Sequence, residues 1–127
     1  MKGLLQQFIS FAGAGAIATS AHYLVLVGLV EGGVTSVLPA SAAGAATGAL
    51  VSYGINYRIT FAADAPHRET LPKFLAVASV AFGINLAFMY LLVTRLGLPD
   101  FAAQMAVTAA ILLVTFSANR VWTFAKK

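Results

Sequence analysis

The chain has 127 residues, of which 60% are hydrophobic and only 9% charged, with a net charge of +4. Soluble domains carry about 25% charged residues, so a water-facing surface could not be covered here; a soluble enzyme domain, a disordered tail and a coiled coil are excluded. The absence of cysteine removes a disulfide framework, a thiolate metal site and a cysteine nucleophile.

A membrane helix needs roughly 20 mostly apolar residues to cross about 30 Å of hydrocarbon. Four windows qualify: residues 4–30, 37–57, 74–94 and 101–119. The first carries no charge between Lys2 and Glu31; it is much longer than the 7–15-residue core of a signal peptide and is read as a retained span. The second is rich in small residues, with Ala40, Gly44, Gly48 and Ser52 recurring every four positions, which permits close approach to another helix. Segment 62–72 reads AADAPHRETLP. Its prolines and mixed charge mark a connector, centred on 62–70, between halves of about 1–61 and 71–127. All windows are apolar all round, unlike the alternating strands of a barrel. The expectation is a single all-α domain of four transmembrane helices over residues 1–127.

Orientation follows the basic residues. With the N-terminus inside, Lys2, Arg58, Arg68, Lys73, Arg120, Lys126 and Lys127 fall on the cytoplasmic side and only Arg95 outside. Both termini and the connector are therefore expected in the cytoplasm. The positive charge forms a ring facing anionic lipid heads, so no nucleic-acid partner is needed to explain it.

The halves resemble each other. Phe8 leads a span as Phe74 does, Leu38-Pro39 opens the second span as Leu98-Pro99 opens the fourth, and SYGINYRITF (52–61) parallels TFSANRVWTF (115–124). Two spans per half require repeats of the same, parallel topology, related by an axis along the membrane normal.

These residues carry a resemblance to a known family. The first-span run GAIATSAH (15–22) is similar to the G-x-x-A-T-x-x-H/D of the GtrA-like proteins, small four-span membrane proteins of cell-surface polysaccharide synthesis. NRVWTF (119–124) matches their N-R-x-W-T-F ending, whereas NYRITF (56–61) departs from it, with Tyr57 where arginine is common and Arg58 one position later. The resemblance implies movement of a polyprenyl-phosphate-linked sugar from the cytoplasmic to the outer leaflet of a bacterial inner membrane, supplying membrane glycosyltransferases. Such a head group needs cationic donors, and arginine's planar fork suits phosphate. Arg120 and Arg58 with Asn119 and Asn56, joined by Tyr57 and Trp122, are the candidate phosphate- and sugar-binding residues. The same arginines could serve only as snorkelling anchors, and the aromatics as an interfacial belt.

Deeper in the spans, Thr19 and His22 share one helix face, and His22 lies roughly 21 Å along the helix from Phe8. Asn85 takes the place of Thr19 in the second half. These three form a candidate intramembrane polar path; the alternative is interhelical hydrogen bonding, worth about 0.6 kcal/mol on average. Glu31, Asp64, Glu69 and Asp100 all fall in loops or at helix ends, so a proton-coupled exporter lacks its acid. No catalytic constellation, metal-ligand spacing or cofactor motif appears, and enzymatic activity is not expected. Four helices leave little room around a sugar head, which favours a homo-oligomer. A different class of function stands beside this reading: a non-transporting adaptor that anchors a glycosyltransferase.

Overall fold

In the computed structural model, which describes residues 3–125, four α-helices follow one another: α1 (Leu4–Glu31), α2 (Val37–Ile55), α3 (His67–Met89) and α4 (Asp100–Ala118). Three of them continue into a widened π-helical turn, over Asn56–Thr60, Tyr90–Arg95 and Asn119–Thr123. Lys2, Lys126 and Lys127, counted above among the inner-face charges, lie outside the described residues.

The chain forms two compact units, Met1–Ala63 and Asp64–Lys127. Each is an antiparallel helical hairpin. We call the end where its chain enters and leaves the base, and the other end the tip. The tip turns pass through glycines in the left-handed region, Gly33 (φ 70°) and Gly97 (φ 72°), a conformation that side chains with a Cβ rarely adopt.

In the first unit α1 and α2 pack along their length. Small residues make this possible: a Cβ on Gly44 would lie 2.6 Å from the His22 carbonyl oxygen, and one on Gly48 would lie 2.9 Å from that of Ala18. Ala14, Ala18 and Ala40 complete the buried seam. The second unit differs, because α3 and α4 pack against each other less extensively than α1 and α2 do. Val107 and Ile111 stand in α4 where Gly44 and Gly48 stand in α2, 63 residues earlier, and both line the space between α3 and α4.

Large apolar side chains point outwards, among them Leu24, Leu38, Phe82 and Phe101. The buried polar residues are Asn56, Thr60, Thr70, Asn119 and Thr123. An exterior of this kind suits lipid rather than water. Hydroxyls inside the helices bond to the preceding turn, as Thr47 does to the Ala43 carbonyl (2.9 Å) and Thr115 to that of Ile111 (2.7 Å), so little polar demand is left exposed.

Three expectations need correction. First, α1, α3 with its π turn and α4 with its π turn are long and apolar enough to cross a membrane, whereas α2, as long as α4, lacks a stretch of comparable hydropathy. Residues 40–49 are all Ala, Gly, Ser or Thr, and each adds little apolar area. Second, α3 starts at His67, inside the expected connector. Pro66 caps it, Glu69 in its first turn complements the helix dipole, and Pro72 is carried within the helix. Third, the spacing between corresponding elements is uniform. Leu4 and His67, Val37 and Asp100, and Asn56 and Asn119 begin corresponding elements, each 63 residues apart. Phe74 therefore matches Phe11 rather than Phe8, and Asn85 matches His22 rather than Thr19. Leu38-Pro39 lies in the first turn of α2, whereas Leu98-Pro99 precedes α4, so these pairs do not correspond.

Candidate functional site

The base of each hairpin is built by the π turn. Five residues beyond Asn56, Phe61 would lie roughly 140° around an α-helix; the wider turn brings it back to the buried side. There Phe61 packs edge-on against Phe11, with ring centroids 6.2 Å apart. Thr60 shares a 2.7 Å hydrogen bond with Ser10 across the hairpin. Asn56 is fully buried and donates to the Ser52 hydroxyl (3.2 Å), but its Oδ1 has no hydrogen-bond partner.

The second unit repeats this arrangement with one change. Phe124 packs on Phe74 (6.1 Å), and Asn119 and Thr123 are each 2% exposed. At the position of Ser10, however, stands Lys73. Its ammonium lies 5.4 Å from the centre of the Trp122 ring, a cation–π distance, and Thr123 Oγ1 is left without a partner, as is Asn119 Oδ1. Buried polar atoms are nearly always satisfied, so this concentration at the two bases sets them apart from the other described residues.

Among the expected phosphate- and sugar-binding residues, Arg58 and Arg120 are exposed on their π turns, while Asn56 and Asn119 are enclosed. Tyr57 is half-buried and packs against Tyr53 (5.7 Å), and Trp122 is 48% exposed. Each base thus presents an exposed guanidinium next in sequence, or nearly so, to a buried carboxamide. Trp122 joins the second base only.

Of the expected polar path, Thr19 is exposed on α1. His22 is half-buried, stacks on Tyr23 (5.4 Å) and covers Gly44. Asn85, its counterpart, is half-buried and accepts a hydrogen bond from Gln104 Nε2 (3.0 Å), which also donates to Thr108 Oγ1 (3.0 Å). Gln104, Thr108, Ser10 and the specific placement of Lys73 escape the sequence reading. The uniform 63-residue spacing was the signal that could have found two of them, since it aligns Ser10 with Lys73 and His22 with Asn85. Among the described residues no group of three or more histidine and acidic residues could hold a metal ion.

Apolar helices of membrane-spanning length with outward-facing large side chains define a small helical membrane protein. The chain belongs to the GtrA/DPMS transmembrane-domain family, which matches residues 10–124. That membership connects it with membrane processes involving polyprenyl-phosphate sugars. No curated protein and no solved structure shows a significant match to the chain.

Proposed function

We propose that this protein passes a polyprenyl-phosphate-linked monosaccharide from the cytoplasmic to the outer leaflet of a bacterial inner membrane, without catalysing a covalent reaction. The protein crosses four times with both termini inside, as two hairpin copies of the same topology. The sugar lipid is consumed outside by glycosyltransferases of surface-polysaccharide synthesis, and that consumption drives net movement. A homo-oligomer encloses the head group.

One observation supports this reading above the others: the same base recurs 63 residues apart, with an exposed arginine on a π turn rooted by a buried asparagine. π turns within α-helices are frequent at functional sites. Charge-assisted hydrogen bonds from arginine recognise phosphate, and a helix-end cation at the inner leaflet boundary meets it first. Asn85, Gln104 and Thr108 offer polar contacts further along the second hairpin.

Reconstitution tests the proposal. Liposomes containing the purified protein should equilibrate a labelled polyprenyl-phosphate monosaccharide across the bilayer faster than empty liposomes. Arg120→Ala should lower the initial rate by about tenfold, the effect of losing one charge-assisted hydrogen bond, while Arg120→Lys retains part of it. Exchange no faster than in empty liposomes, together with tight co-purification of a glycosyltransferase, would favour the adaptor instead.

A further inference from the structure

Between α3 and α4 runs an apolar groove that the described role of the base does not use. Its lower stretch, about 250 Å³, begins at Trp122 and is walled by Val77, Val80 and Ala118. Its upper stretch, about 330 Å³, reaches Phe88 and Leu92. Ile84, Ile111 and Val114 line both stretches, which adjoin along α4. Val107 and Ile111 stand beside it where the first hairpin has the glycines that let its helices close.

We infer that this groove holds the isoprenoid chain of a singly phosphorylated polyprenyl lipid, with Lys73 meeting the phosphate at its base. The inference rests on the function proposed above and extends it to the lipid tail. Two observations argue for this occupant. From Trp122 to Ala106 the groove follows α4 for roughly 24 Å, longer than one leaflet of a hydrocarbon core about 30 Å thick. The base end supplies complementary charge. Lys73 stands over Trp122 at the mouth, where the phosphate of a lipid with its chain in the groove would lie. The first hairpin has Ser10 there, already bonded to Thr60.

Trp122 is the only tryptophan in the chain, so its fluorescence reports occupancy. The full-length protein in phosphatidylcholine nanodiscs, titrated with a long-chain polyprenyl phosphate, should show a saturable change in emission. Val114→Phe, a substitution on the lipid-facing wall, should raise the half-saturating concentration by about tenfold or more by occupying the chain's space. Val80→Phe on the opposite wall serves as a second variant if the first alters folding. Lys73→Ala should weaken binding to a similar extent, with Lys73→Arg largely restoring it. The inference is overturned if phosphatidylglycerol gives the same saturable response, or if both wall variants bind like the parent. Binding that is lost in Arg120→Ala but unaffected by the wall and Lys73 variants sinks the groove while leaving the transport reading intact. Absence of any binding by the parent protein sinks both.

Discussion

Thr60 and Thr123 occupy equivalent places, yet only Thr60 has a hydroxyl to bond, because Ser10 faces it where the second hairpin carries Lys73. The difference makes opposed predictions for two substitutions. Ser10→Ala removes an interhelical bond and should destabilise the first hairpin by about 0.6 kcal/mol, read as a lowered unfolding midpoint in detergent. Lys73→Ser should stabilise the second hairpin by a similar amount and at the same time weaken polyprenyl phosphate binding. The buried asparagines show the same opposition between stability and activity. Asn119 Oδ1 is enclosed and unpartnered, so Asn119→Leu discards an unsatisfied group and should leave stability unchanged or raised, yet transport should fall. A variant that keeps full exchange would show that Asn119 serves packing alone. The asparagines and arginines were legible as a repeated motif. Their division into enclosed carboxamide and exposed guanidinium was not, because it depends on the π turn, whose widening no local residue preference announces.

Helix pairing in a membrane gains little from the hydrophobic effect, since lipid is as apolar as leucine, and close backbone approach takes its place. α2 illustrates this: its small residues leave its best membrane-length stretch less apolar than those of the other helices but let it lie directly against α1. Gly48→Leu should therefore separate the first hairpin, costing about 1–3 kcal/mol, and should be visible as a marked loss of thermal stability. The reciprocal change, Ile111→Gly, removes the spacer between α3 and α4. If bulk at this position holds the groove open, the variant should bind polyprenyl phosphate more weakly than the parent. The stripe at Ala40, Gly44 and Gly48 announces close packing in the sequence; that its partner is α1, through Ala18 and His22, emerges only from the fold.

For the molecule as a whole, the open element is α2, since its hydropathy alone does not mark it as a span. The connector then decides the topology. With no native cysteine, single cysteines can be placed at Ser36, Asp64 and Leu98. The proposed four-span arrangement has 36 and 98 reacting with an impermeant maleimide in intact cells, and 64 reacting only after permeabilisation. Labelling of positions 36 and 64 from the same side would mean that α2 does not cross.

Composition and hydropathy pattern were enough to determine the solvent, the helical class, the approximate helix limits and the grouping of cationic side chains, because these follow from residue-by-residue transfer between water and hydrocarbon. Tertiary structure decided which residues face one another: the start of α3 within a proline-containing segment, the enclosure of Asn56 and Asn119, and the gap between α3 and α4. These depend on side-chain volume and on the width of a helical turn, properties that act only when two helices meet.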